Sequence, residues 1–183
     1  MKVKTAVLVI DMINDFVTGK LGSERARKIV PDVKKLVGSA RSKGLPVIYV
    51  CDSHIPGVDA ELSLWGDHAI AGTKGAEIVP ELEPRDGGYV LRKRRYSAFF
   101  ATDLDILLRE LDIKRLVLSG LVTDICIQHT AADAFFRGYK VVVLEDCVDA
   151  TSEEDNQVAL EYMKKVYGAK VEKLDGFLRS LEG

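Results

Sequence analysis

The stretch Thr5-Ala6-Val7-Leu8-Val9-Ile10-Asp11 decides how the rest of the chain is read. Its apolar residues run without alternation and stop at a carboxylate, the pattern of a strand covered on both faces. Comparable runs recur at 46–51, 89–92, 115–119 and 140–144, with a weaker one at 170–173. Between them, Ala26, Val30, Val33, Val37 and Ala40 step by four and three, and so do Leu104, Leu107, Leu108 and Leu111, and Ala159, Tyr162, Met163 and Val166. Each set predicts one apolar helical stripe. Gly44 stands where the first helix should stop, Thr151 and Glu154 have capping-box spacing, and 124–137 predicts a buried helix ending at Gly138. Strands alternating with helices along the whole length predict βαβ units and a parallel sheet.

The 183 residues, 47% of them apolar and 30% charged, suit one compact domain over 1–183. Such a chain buries roughly 70% of its unfolded surface and needs neither disulfides nor a structural metal to close. A formal charge of −2 argues against a surface-wide nucleic-acid footprint, and the one dense basic run, Arg92-Lys93-Arg94-Arg95, reads as a solvated patch. The apolar run 6–10 is too short for a signal peptide, and no run approaches the ~18 residues of a membrane span. Cys51, Cys126 and Cys147 are odd in number and widely spaced, as expected in a reducing compartment. The expectation is a soluble, cytoplasmic protein that binds neither nucleic acid nor membrane.

In an open parallel sheet, ligands gather beyond the carboxyl ends of the strands. Asp11 follows the first strand, Asp52 the second and Lys93 the third, while Cys126 lies just inside the helix after the fourth. Singly, these read as a turn former, a cap, a solvated cation and core filler. Jointly they read as chemistry. The start of a helix and a nearby Lys would favour a thiolate at Cys126, and Asp11 could carry its proton. A second group, Asp52-Ser53-His54 with His68, uses two of the three histidines. In extended chain Asp52 and His54 point the same way, so one carboxylate and two imidazoles could hold Zn²⁺, Mn²⁺ or Fe²⁺. An Asp capping a turn beside two loop histidines fits the same spacing. His129 reads as a packed helix residue. The first strand lacks the G-x-G-x-x-G turn of a dinucleotide site, and no P-loop or G-x-S-x-G elbow is present.

Read together, Val9-Ile10-Asp11-Met12, Asp52-Ser53-His54, Trp65-Gly66-Asp67-His68, Lys93-Arg94-Arg95-Tyr96-Ser97-Ala98-Phe99 and Ser119-Gly120-Leu121-Val122-Thr123-Asp124-Ile125-Cys126 resemble the isochorismatase-like cysteine hydrolases, and among them the nicotinamidases. The resemblance implies an α/β fold, a three-layer αβα arrangement around a six-stranded, mostly parallel Rossmann-like sheet. It implies Asp11, Lys93 and Cys126 as the catalytic triad, an oxyanion hole of backbone N–H groups around Val122 and Cys126, and a cis peptide between Leu121 and Val122. Phe16 and Trp65 would line the substrate pocket, and Asp52, His54 and His68 would bind a divalent metal, zinc before manganese or iron. The activity implied is hydrolysis of a small amide, nicotinamide first, through a thioester. Another amide, a ureide or a vinyl ether on the same triad is the enzyme alternative, and a non-catalytic binding protein is the other. Members of the family form dimers or tetramers, so a homo-oligomer is expected.

Overall fold

The computed structural model describes residues 3–85 and 88–182. Six strands, β1 (Thr5–Ile10), β2 (Val47–Asp52), β3 (Tyr89–Lys93), β4 (Arg115–Leu121), β5 (Lys140–Asp149) and β6 (Lys170–Glu172), form one sheet in the order β3-β2-β1-β4-β5-β6. Every pairing is parallel. The chain runs outward from β1 to β2 and β3, then returns to lay β4 on the other side of β1. This seam is where the strand order reverses.

All six residues of β1 are buried, and the alternation of its side chains serves two cores. Val7 and Val9 pack with Val33 and Leu36 of α2 (Glu24–Ser42) and Phe177 of α7 (Leu174–Glu182). Ala6, Leu8 and Ile10 pack on the opposite face with Leu104 and Leu108 of α4 (Leu104–Glu110), Ala131 of α5 (Gln128–Phe136) and Leu160 and Met163 of α6 (Glu153–Tyr167). The three layers follow from this division. Two short helices, α1 (Asn14–Val17) and α3 (Glu61–Trp65), lie in the connections beyond β1 and β2.

Several local expectations shift. The stripe predicted through Tyr162 and Val166 is rotated: both are more than 40% exposed, while Asn156, Ala159, Leu160 and Met163 face the sheet. Both sets have helical spacing, and the sheet takes the one centred on Ala159 and Leu160. The cap of α6 is Ser152, whose hydroxyl accepts the Asp155 N–H, rather than Thr151. The segment 124–137 splits into a π-helical turn, Thr123–Ile127, and α5, whose end exposes Phe135 and Phe136. Gly44 follows α2 at a φ of 70°, as expected of a helix stop.

Candidate active site

Gly120 sits opposite Ile10 in the β1–β4 ladder, at a φ of 111°. A Cβ there would lie 1.9 Å from the Ile10 carbonyl oxygen, so only glycine admits this approach. The approach brings the turn after β4 beside Asp11. Asp11 itself takes the left-handed conformation, at a φ of 54°, and is anchored at both ends. Its N–H donates to Val50 O at 3.0 Å, and its Oδ1 accepts the Asp52 N–H at 2.7 Å. Lys93, the last residue of β3, pairs in register with Asp52 and is fully enclosed. Its Nζ stands 2.8 Å from Asp11 Oδ2, 2.6 Å from Asp52 Oδ1 and 3.6 Å from Cys126 Sγ. The acceptor atoms of Asp11, Asp52 and Cys126 lie within 4.8 Å of one another around that ammonium.

Burial dominates the electrostatics. It raises the Asp11 carboxyl to about 7, helped by the charge of Asp52 and opposed by Lys93. Burial works against the Lys93 charge too, but Asp11, Cys126 and Asp52 outweigh it and hold the ammonium protonated. For Asp52, burial is overcome by Lys93 and His54, and its carboxyl falls below the ordinary range. Cys126 departs from expectation. Burial, with the charges of Asp11 and Asp52, pushes its thiol well above the ordinary range despite Lys93. The helix start expected to stabilise a thiolate is a five-residue π-helical turn, and the nearby ammonium is already shared by two carboxylates. The resting group is a thiol beside a carboxylate of near-neutral affinity for protons.

A second cluster adjoins the first. His54 extends the edge of β2: its N–H donates to Ala69 O at 2.8 Å, and its carbonyl accepts the Ala71 N–H at 2.9 Å. Asp15 holds the same segment from the other side, accepting the Ala69 N–H at 2.8 Å. Gly75 leaves room for that carboxylate, since a Cβ there would fall 2.2 Å from Asp15 Oδ2. These ties deliver His68 to Asp52 and His54, and Glu61 of α3 joins them. Donor atoms of Asp52, His54, Glu61 and His68 lie within 4.8 Å of one another, and all four residues are buried. His54 Nε2 faces Asp52 Oδ2 at 3.6 Å and Glu61 Oε2 at 3.8 Å.

Two observations test this set as a metal site. His54 Nε2 and Glu61 Oε1 are buried without a hydrogen-bond partner. Both histidines have Nδ1 tied to an oxygen, Asp59 Oδ2 at 3.1 Å for His54 and Gly66 O at 2.7 Å for His68, which leaves Nε2 as the free donor. Two imidazoles and two carboxylates fit Zn²⁺, Mn²⁺ or Fe²⁺. Among Asp11, Asp52 and Cys126, by contrast, the Lys93 ammonium already supplies the positive charge.

Both clusters open on a cavity of 210 Å³, small beside the roughly 300–1,000 Å³ of drug-sized sites. Phe16, Trp65, Tyr96 and Ile125 form its walls, with Cys126 and His68 on its surface. Trp65 Nε1–H donates to Tyr96 Oη at 3.1 Å, joining α3 to the exit of β3. Val122, bonded to Leu121 through the cis peptide that the resemblance implies, also faces the cavity, and its carbonyl accepts the N–H groups of Ile125 and Ile127.

Residues 5–174 match the isochorismatase domain. The chain belongs to the isochorismatase family. Among solved structures, this isochorismatase-family chain is 44% identical to the N-carbamoylsarcosine amidase of Thermoplasma acidophilum, covering 94% of this chain and 97% of that one at a TM-score of 0.89. It is 36% identical to the nicotinamidase PncA of Bacillus subtilis, over 93% and 99% of the two chains, with a TM-score of 0.88. It is 30% identical to a pyrazinamidase of Pyrococcus horikoshii in complex with zinc, over 93% and 99%, with a TM-score of 0.86.

Sequence reasoning about this isochorismatase-family chain missed Glu61 and Tyr96. Glu61 was visible only as one more carboxylate between the two histidines, in a stretch of weak periodicity. His129 stands outside both clusters: it is exposed, with Nδ1 2.7 Å from Ile125 O. The basic run is largely occupied internally, with Arg92 donating to Ala76 O and Arg94 to Asp59. No helix among the described residues is long and apolar enough to cross a membrane.

Proposed function

We propose that the chain is a cysteine-dependent amidohydrolase that converts nicotinamide to nicotinate and ammonia. One observation carries this reading: a buried thiol with its own proton acceptor and a four-donor cluster suited to a divalent cation share one small, largely apolar cavity. Asp11 takes the Cys126 proton as Sγ attacks the carboxamide carbon. Backbone N–H groups around Val122 and Cys126 receive the oxyanion, each donor worth about 3 kcal/mol in the transition state. Asp11 returns the proton to the departing nitrogen, ammonia leaves and a thioester remains. Water, its proton drawn by Asp11, then attacks the thioester, releasing the acid and restoring the thiol. A carboxyl held at about 7 suits both directions of transfer at neutral pH. Lys93 fixes Asp11 and Asp52 and supplies the positive charge beside the sulfur. Phe16 and Trp65 flank the ring of the substrate. Asp52, His54, Glu61 and His68 would hold a divalent cation, zinc in this reading, which when bound would supply a Lewis acid.

The 44% identity to an N-carbamoylsarcosine amidase favours a second reading, hydrolysis of a ureido acid. The lining opposes it: Asp52 and Glu61 face the cavity, and no Lys or Arg does among the described residues that line it. A substrate carboxylate would have only the bound cation to meet it, with no cationic side chain beside it. Ammonia release from nicotinamide, pyrazinamide and N-carbamoylsarcosine, measured with wild type, Cys126→Ala and chelator-treated enzyme, tests both. Release that survives Cys126→Ala overturns the covalent route, and turnover of the ureido acid in preference to nicotinamide overturns the substrate.

A further inference from the structure

Asp59 touches His54, lies outside the four-donor cluster and is wholly enclosed. Both of its oxygens are committed. Oδ2 stands 3.1 Å from His54 Nδ1 and accepts the Ile55 N–H at 2.9 Å. Arg94 Nε donates at 3.0 Å to Oδ1 and 3.1 Å to Oδ2, and Arg94 Nη2 makes a further contact with Oδ1. The guanidinium fork grips the carboxylate in two places, which fixes direction as well as distance. Arg94 follows Lys93, so one strand end sends successive side chains to the two clusters.

A neutral imidazole has one N–H and one lone pair, and the hydrogen bond at one nitrogen decides which the other carries. We propose that Asp59, gripped by Arg94, is a positioning residue: it accepts the Nδ1–H of His54 and aims the bare Nε2 at Asp52 and Glu61, where a divalent cation binds. The inference rests on the reading of that cluster as a cation site. His68 receives the same service from a neutral carbonyl, Gly66 O.

The test uses metal-stripped full-length protein with zinc as the probe, its affinity read by competition with a chromophoric chelator. Asp59→Ala should bind zinc about ten- to a hundredfold more weakly than wild type. Long-range ¹H–¹⁵N spectra report the ring directly, because the chain has three histidines and His54→Gln identifies the signals of one. In spectra recorded at a pH where the imidazole is neutral, wild type should show His54 as the Nδ1–H form, and Asp59→Ala should shift it toward Nε2–H. Asp59→Leu, which fills the space without an acceptor, carries the same comparison if circular dichroism shows Asp59→Ala unfolded. Unchanged affinity overturns the proposal, as does weaker affinity with the His54 tautomer unaltered. A wild type that binds no zinc overturns the cation site beneath it.

Discussion

Lys93 Nζ and Asp11 Oδ2 stand 2.8 Å apart with neither side chain exposed to solvent. An ammonium so enclosed is tolerable because Asp52 flanks its other side at 2.6 Å. Removing one partner from such a group leaves charge buried without compensation, which costs about 3–5 kcal/mol. Lys93→Ala should therefore lose stability on that scale in urea denaturation as well as activity. A variant as stable as wild type would show that the ammonium is not what holds the two carboxylates together.

Asp11 also sets an expectation for pH. Its folded value of about 7 lies above the ordinary 3.8, so the folded state favours the protonated form. The stability this group contributes is full below about pH 4 and is lost as pH rises through about 7. Asp11→Asn, locked in a neutral form, should lack this loss, gaining on wild type between pH 5 and 7.5 while being inactive. In wild type, kcat/KM should fall as pH drops below about 7, because the carboxylate must be free to take the thiol proton. An activity profile flat from pH 5 to 8 would contradict that role.

Cys126 is a thiol at rest, and its reactivity should show it. It reaches the cavity, whereas Cys51 and Cys147 are sealed in the core and burial raises both thiols. Iodoacetamide should modify Cys126 alone in the native protein, slowly near neutrality and faster as pH rises. Intact-mass and peptide analysis would expose the opposite pattern, labelling of Cys51 or Cys147 first.

Glu61 carries a separate expectation. Its Oε1 is buried without a partner, and burial raises its carboxyl, a cost that a cation would offset. Glu61→Gln should bind zinc at least about tenfold more weakly, with His129→Ala unchanged as the control. Calorimetric titration of both variants separates a ligand from a bystander.

The strand centres were legible because each is a short apolar run closed by a polar residue, and in a parallel sheet such ends converge on one rim. Asp11, Asp52, Lys93 and Cys126 could be placed together on that ground. Glu61 could not, because it sits on a five-residue helix in the irregular connection after β2, and no spacing announces that this connection folds back onto Asp52 and His54. The ionisation of Cys126 is not legible for a related reason: a dipole and a cation can be read from order along the chain, but enclosure arises only when the layers close. Tyr162 and Val166 have the same periodicity as the residues that α6 buries, so the sequence left the face undecided.

The seam at Gly120 has no space for any side chain, and Gly120 itself does not line the cavity. Redesigning which amide is accepted must leave that backbone crossing untouched. The adjustable parts are Phe16 beyond β1, Trp65 on α3, Tyr96 after β3 and Ile125 in the π-helical turn, all of them connections rather than strands. Under the proposed function, Asp11 and Lys93 stand at strand ends while Phe16, Trp65 and Tyr96 sit on separate connections, so selectivity can be retuned there apart from the bond-breaking step.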